Sequence, residues 1–207
     1  MKGHGGRKCC FVGVAGGTAS GKSEFSSRMR RLSPIGHITV VPVDSYYWPQ
    51  DHLSLDERAR QNYDHPDSLE IPLLLKHLHE LAEGRSVSGP CYDYAHHTRS
   101  SEVMLLEPTP FVLVEGILAF HFQDLRDYFD FKVFIQCASD VRLERRMERD
   151  IRERGRTKQS VLEQWNNTVH PMHEQFCEPS HSHADLILPG ETFDDDDVRA
   201  VWDKLQA

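Results

Sequence analysis

The chain lacks the long apolar runs of a membrane protein. No stretch approaches the roughly 18 consecutive apolar residues that a membrane-spanning helix needs. The apolar run that follows the basic start is short and is interrupted by Gly13, so we expect no signal peptide. No internal repeat is present either, which excludes solenoids and propellers.

Cysteine and basic charge are also scarce. The five cysteines are odd in number and contain no C-x-x-C pair. This excludes a disulfide framework and a zinc site, and it indicates reduced thiols in a cytoplasmic protein. The 24 Lys and Arg residues are outnumbered by 32 Asp and Glu residues, so the net charge is −8. We therefore expect no nucleic-acid partner, and the lack of a long apolar stretch predicts no membrane partner.

Along its 207 residues, the chain alternates between apolar strand-like segments and helical stripes. This alternation indicates an α/β fold with a parallel sheet, and the length fits one domain over residues 1–207. The segment of about 86–106 breaks the alternation, and its Gly-Pro pair, aromatic residues and turn predict an inserted β-hairpin. Near the end, an apolar stripe that includes Met172 and Phe176 predicts one long helix, kinked at Pro171.

The strongest motif is Gly16-Gly-Thr-Ala-Ser-Gly-Lys-Ser23, which matches the phosphate-loop pattern G-x-x-x-x-G-K-[ST]. It lies between a strand-like segment and an amphipathic helical segment, as this loop requires; an ordinary glycine-rich turn does not need such flanks. Glycines let backbone N–H groups surround an anion, and the helix N-terminus adds positive charge. The motif predicts a nucleoside triphosphate site formed by Gly16, Gly17, Thr18, Ala19, Ser20, Gly21, Lys22 and Ser23.

Two carboxylates follow predicted strands. Asp44 follows the segment 38–43, and Glu115 follows the segment 111–114. In open α/β sheets, ligands bind outside the carboxyl ends of the strands, where the phosphate loop also lies. We therefore expect Glu115, with the Ser23 hydroxyl, to hold Mg²⁺ and Asp44 to be available for chemistry. The alternative for each carboxylate is a helix cap or a surface ion pair.

Seven arginines fall between residues 142 and 156 and alternate with acids. One interpretation is a solvated helix with i, i+4 ion pairs. The other is a helical lid over about 140–158, with Gly155 as a hinge, whose guanidinium groups neutralise a transferring phosphoryl group. Both interpretations can hold for one helix, each for one face.

Several longer motifs resemble those of one known family, the uridine kinase (uridine–cytidine kinase) family. They are the phosphate loop, Asp44-Ser-Tyr-Tyr47, Asn62-Tyr-Asp-His-Pro-Asp67, Tyr92-Asp-Tyr-Ala-His-His-Thr-Arg99, Glu115-Gly-Ile-Leu118 and the arginine-rich segment 142–156. The resemblance covers nearly the whole chain. Many kinases share the phosphate loop, whereas the motifs that begin at Asn62 and Tyr92 are far more particular.

This resemblance implies a phosphate-loop protein with a nucleoside-monophosphate-kinase-like core, in which helices flank the parallel sheet. It implies transfer of the γ-phosphate of ATP or GTP, with Mg²⁺, to the 5′-hydroxyl of uridine or cytidine. It also implies a homotetramer. Gly190–Asp197 departs from the family's usual loop near the donor base, which leaves the choice between ATP and GTP open, and Glu24 replaces a usual hydroxyl residue.

The same resemblance implies residue roles. Asp44 resembles the general base and Asp64 the acceptor for the ribose hydroxyls, while Lys22 and Arg146 match catalytic positions at the phosphates. Ser23 and Glu115 match the magnesium site. In the nucleoside pocket, the resemblance makes Tyr63 and Tyr94 aromatic walls and makes Tyr92 and His97 contacts to the base. Three further residues match positions that hold the nucleoside or close over the phosphates: Arg146, Arg156 and Gln164.

Three alternatives are weighed against this interpretation. A related phosphate-loop kinase for another small metabolite would share the core but lack the hairpin motif. A switch GTPase would need an Asn-Lys-x-Asp motif, which the sequence does not contain. A non-catalytic nucleotide-binding regulator would be expected to have lost Lys22, Asp44 or Glu115, yet all three are present.

Overall fold

Five parallel strands form the central sheet of the computed structural model, which describes residues 7–34 and 36–206. The spatial order is β2-β5-β1-β6-β7, and β3 pairs with β4 in a separate antiparallel hairpin. The predicted parallel α/β fold is therefore confirmed. The strands are β1 (Cys10–Ala15), β2 (Ile38–Pro42), β3 (Val87–Asp93), β4 (Thr98–Leu106), β5 (Phe111–Glu115), β6 (Phe131–Gln136) and β7 (Leu186–Pro189).

Helices connect and cover these strands. At the start of the last helix, the Asp194 carboxylate accepts hydrogen bonds from the backbone N–H groups of Asp196 and Asp197 and so caps the helix. In the described part of the chain, no helix is long and apolar enough to cross a membrane. The helices are α1 (Lys22–Leu32), α2 (Leu55–Ala59), α3 (Ile71–Ala82), α4 (Gln123–Arg126), α5 (Ser139–Arg154), α6 (Lys158–Gln164), α7 (His170–Met172) and α8 (Asp195–Gln206).

The sheet is buried on both faces. In β1, Phe11 and Ala15 belong to one apolar cluster, and Val12 and Val14 belong to the other. Helix α3 contributes leucines to the first cluster, and α1 and α8 contribute to the second. Burial on both faces explains why the strands are continuous apolar runs in the sequence. It leaves the carboxyl ends of the strands as the open edge where polar groups can gather.

The predicted long helix near Pro171 differs in detail from the structure. It consists of α6, a π-helical turn (Trp165–Val169), α7 and a second π-helical turn (His173–Cys177). Proline has no N–H to donate and its ring crowds the preceding turn, and wider turns relieve that crowding. The wider turns also move the buried stripe, because His173 and Cys177 are buried while Met172 and Phe176 are only partly buried.

We predict that buried His173 makes the fold acid-sensitive. Burial, with the Arg142 charge acting in the same direction, lowers the pKa of His173 to about 3, and the contact of its Nε2 with Glu178 Oε2 at 3.0 Å acts against this change. In the unfolded chain the pKa of histidine is about 6.5, so the unfolded state binds the proton first as the pH falls. Stability should therefore decrease between about pH 6.5 and pH 3, by up to about 1.4 kcal/mol per pH unit.

Urea unfolding at about pH 7.5 and pH 5 measures this dependence. The variant His173→Gln, which cannot titrate there, should show a flatter pH dependence than the wild type. The variant His52→Gln, at an exposed position, serves as the control and should keep the wild-type slope. An unchanged slope in His173→Gln would contradict the prediction.

Candidate active site

The phosphate loop joins β1 to α1 in a conformation that requires glycine. Gly16 and Gly21 have φ values of +143° and +109°, and a Cβ atom on Gly16 would lie 2.4 Å from the backbone oxygen of Ile135. The Lys22 Nζ donates to the carbonyl oxygens of Gly16 at 3.0 Å and Gly17 at 2.8 Å. Burial lowers the pKa of Lys22, an effect that Asp44 opposes. The ammonium group therefore lies inside the loop that is predicted to receive phosphates.

Glu115 ends β5 beside this loop. Its Oε1 accepts a hydrogen bond from the Ser23 hydroxyl at 3.2 Å, and its Oε2 accepts one from the Ser26 hydroxyl at 2.9 Å. Burial raises the pKa of Glu115, while the Lys22 charge acts to lower it. A carboxylate and a hydroxyl next to a phosphate-binding loop form an all-oxygen set of the kind that Mg²⁺ prefers, with phosphates and water completing the coordination. These two side chains therefore fit a magnesium ion.

Two connected cavities open at the carboxyl ends of the strands. The outer cleft has a volume of about 650 Å³ and is lined by the phosphate loop, Glu115 and the loop after β7. The inner pocket is smaller, about 70 Å³, and is lined by Asp64 together with the hairpin aromatics. Six residues line both cavities and so mark the junction between them: Thr18, Asp44, Tyr94, Ile117, Arg149 and Arg154.

Asp44 occupies a turn directly after β2, at the junction of the two cavities. Burial raises its pKa above the ordinary value, and the charges of Lys22 and several arginines act against this rise. Asp64 faces the inner pocket, and burial raises its pKa as well, against the charge of Arg146. One carboxylate therefore lies where both cavities meet, and a second lies deeper.

Aromatic rings form much of the inner pocket. The Tyr47 ring packs edge-on against Tyr63 at 5.2 Å and against Tyr92 at 5.1 Å between centroids. Tyr94 packs against Tyr92 in the same way. His97, at the tip of the hairpin with a φ of +52°, stacks on Tyr63 at an interplanar angle of 17°. Burial, together with the Arg156 charge, lowers the pKa of His97, so its imidazole is neutral at pH 7.

Helix α5 has one face on the site and one in solvent. Arg146 donates to the Thr18 hydroxyl at 2.9 Å and to the Gln164 side-chain oxygen at 2.7 Å, and Arg156 donates to the same oxygen of Gln164. Arg152 lies on the exposed edge of the outer cleft, where it pairs with the neighbouring Glu153. Part of the arginine-rich segment therefore lines the site, and part of it is exposed to solvent; the lid remains a prediction.

The structure brings every predicted site residue to the walls of these two cavities or to the phosphate loop itself. Glu24 lies on the rim, where it pairs with Arg28 at 2.6 Å. Sequence reasoning missed Tyr47, Ile117, Arg149 and Arg154 as wall residues. The signal was available for all four, because each lies inside a motif that had already been singled out.

The fold and the site define a phosphate-loop kinase. A family model described as the Phosphoribulokinase / Uridine kinase family matches residues 11–195, so the chain belongs to this family. Curated proteins named uridine kinase are similar along most of both sequences. The protein from Halalkalibacterium halodurans is 46% identical, covering 89% of this chain and 87% of its own length, and that from Escherichia coli K12 is 44% identical, covering 88% and 87%.

A solved structure supports the fold alone. The D-glycerate 3-kinase from Cryptococcus neoformans aligns with a TM-score of 0.62 at 18% identity, covering 84% of this chain and 80% of that one. At such low identity the likeness extends to the core architecture and not to the substrate.

Proposed function

We propose that this kinase transfers the γ-phosphate of ATP or GTP to the 5′-hydroxyl of uridine or cytidine, which gives UMP or CMP. The observation that carries the proposal is the position of Asp44, between the phosphate loop and a pocket that contains Asp64 and aromatic rings. A flat base suits aromatic walls, and a ribose diol suits a carboxylate acceptor. The names of the curated relatives support the same acceptor class.

In this proposal each side chain has a chemical task. Asp64 accepts hydrogen bonds from the ribose hydroxyls, which orients the 5′-hydroxyl toward Asp44. Asp44 accepts the proton of that hydroxyl, and burial favours this task because it raises the pKa of Asp44. Lys22 and Arg146 stabilise the negative charge on the transferring phosphoryl group. Ser23 and Glu115 would hold Mg²⁺, which neutralises charge on the phosphates when bound.

A steady-state assay of a nucleoside panel with ATP and GTP tests the proposal. We expect uridine and cytidine to have the highest kcat/KM, and thymidine to be rejected because it lacks the 2′-hydroxyl donor for Asp64. Preference for a sugar acid or another small metabolite over all nucleosides would overturn the proposal in favour of a related phosphate-loop kinase.

We predict that His97 contacts position 4 of the pyrimidine ring, which carries a carbonyl oxygen in uridine and an amino group in cytidine. A neutral imidazole can donate from one nitrogen to the carbonyl oxygen of uridine and accept at the other from the amino group of cytidine. The variant His97→Glu can only accept when ionised, so it should shift the ratio of kcat/KM toward cytidine by about 10-fold or more.

His96→Ala is the matched control, because this exposed neighbour lies in the same turn and bonds to Asp93 instead. It should leave the ratio of kcat/KM for the two nucleosides unchanged. If both nucleosides lose activity equally in His97→Glu, His97 only supports the turn and does not read the base.

We further propose that the enzyme serves pyrimidine salvage in the cytoplasm as a homotetramer. The five cysteines are free thiols, which is compatible with a reducing compartment. Exposed apolar side chains on β4, Val103 and Leu105, offer apolar surface for contact between subunits. Light scattering at several protein concentrations measures the mass of the assembly, and a monomeric mass would contradict the tetramer.

A further inference from the structure

Asp150, on helix α5, has a fully buried side chain enclosed by arginines. The Oδ1 atom accepts from Arg149, with Nε at 2.9 Å and Nη2 at 2.8 Å. The other three guanidinium groups approach the same carboxylate: Arg154 Nη1 lies 3.4 Å from Oδ1, Arg146 Nε lies 3.5 Å from Oδ2, and Arg156 Nη1 lies 4.0 Å from Oδ2. One buried anion is therefore shared by four cations.

The four arginines lie between Asp150 and the inner pocket. All four line the inner pocket with Asp44 and Asp64, whereas Asp150 is not among the described residues that form its wall. Asp150 also holds the end of α5 by its backbone, since its carbonyl oxygen accepts from the N–H groups of Gly155 and Arg156. The same residue thus anchors the arginines through its carboxylate and the helix end through its carbonyl group.

The charge on this carboxylate matters because the four guanidinium groups would otherwise repel one another at close range. Burial acts to raise the pKa of Asp150, but Arg146, Arg149 and Arg154 outweigh it and lower the pKa below its ordinary value. The group is therefore ionised at neutral pH. Removing the charge would leave one buried and three partly buried cations without compensation, and they would separate.

We propose that Asp150 is a positioning residue: its buried carboxylate holds Arg146, Arg149, Arg154 and Arg156 at the spacing that the nucleoside and the transferring phosphoryl group require. The inference rests on the proposed function for its kinetic consequence. The clustering of the arginines around Asp150 does not depend on which acceptor is phosphorylated.

Two variants separate the charge from the packing. Asp150→Asn keeps the shape and removes the charge, whereas Asp150→Glu keeps the charge and adds one methylene group to a packed site. Asp150→Asn should lower kcat/KM for uridine by about 10²-fold and raise the KM for uridine, because the arginines are misplaced. The Kd for ATP should rise less than the KM for uridine, since the phosphate loop itself is unchanged and only Arg149 and Arg154 of the four arginines line the outer cleft. Asp150→Glu should retain more activity than Asp150→Asn.

Glu148→Gln is the matched control, because it removes the same charge from an exposed position on the same helix. It should behave as the wild type. Near-wild-type kinetics in Asp150→Asn, or lower activity per folded molecule in Asp150→Glu than in Asp150→Asn, would overturn the proposal. If thermal unfolding shows that Asp150→Asn does not fold, the KM of Asp150→Glu for uridine decides: a value near wild type supports the proposal, and a strongly raised value overturns it.

A second measurement needs no substrate. Phenylglyoxal modifies accessible arginines, and mass spectrometry locates the modified residues. We compare the modification rates of Arg149, Arg154 and Arg156 in Asp150→Asn and in Asp150→Glu with the rates in the wild type. If Asp150→Asn does not fold, the comparison rests on Asp150→Glu. Faster modification in Asp150→Asn and a wild-type rate in Asp150→Glu support the positioning role even if the nucleoside panel overturns the proposed function. An unchanged modification rate in Asp150→Asn together with a faster rate in Asp150→Glu would overturn the positioning role.

Discussion

Asp44→Asn should lower kcat for uridine by about 10² to 10⁴-fold. The substitution keeps the size and shape of the side chain but removes the proton acceptor at the junction of the two cavities. In the wild type, the raised pKa of Asp44 makes the carboxylate a better base than an exposed aspartate, so kcat/KM should decrease as the pH falls through this raised pKa. Steady-state kinetics over a pH series measures both effects.

The affinity for ATP serves as the internal control for Asp44→Asn. The phosphate loop and Lys22 are unchanged, so the Kd for ATP should stay close to the wild-type value. Asp51→Asn, a more distant aspartate whose Oδ1 accepts from the Thr98 hydroxyl, should keep most of its kcat. If Asp44→Asn retains most of its kcat, another group must accept the proton and the assignment of Asp44 is wrong.

Arg146→Ala is expected to lower kcat/KM by about 10²-fold or more. This guanidinium group contacts the phosphate loop through Thr18 and the nucleoside pocket through Gln164, so its loss affects both ends of the transfer. Arg156→Ala should act in the same direction, because Arg156 shares the Gln164 oxygen. Steady-state kinetics with ATP and uridine varied separately shows which substrate each arginine serves.

Arg152→Ala provides the comparison on the same helix. The side chain is 73% exposed at the edge of the outer cleft and pairs with Glu153 at 2.5 Å, an arrangement that contributes little to stability. Its kcat/KM should therefore remain close to wild type. Equal losses at all three positions would mean that the arginines act through the stability of α5 and not through contact with the reacting groups.

Much of the core could be predicted from the sequence, because short stretches of residues determine these features. The phosphate loop depends on glycines at a fixed spacing between a strand and a helix, and strands buried on both faces appear as uninterrupted apolar runs. Parallel topology follows from the alternation of strands and helices. The proximity of Asp44 to Glu115 follows as well, because the carboxyl ends of neighbouring parallel strands meet at one edge.

The sequence by itself determined the phosphate loop, the parallel sheet and the motifs that mark the candidate site. Only the tertiary structure decided which side of the helix near Pro171 is buried, because the π-helical turns replace a period of 3.6 with a wider one and place His173 and Cys177 inside. It also decided that Asp150 is buried and Glu148 is exposed on α5. In the sequence, both acids belong to the same run of alternating charges. Only the packing of α5 against the pocket buries Asp150 among the arginines and leaves Glu148 in contact with water.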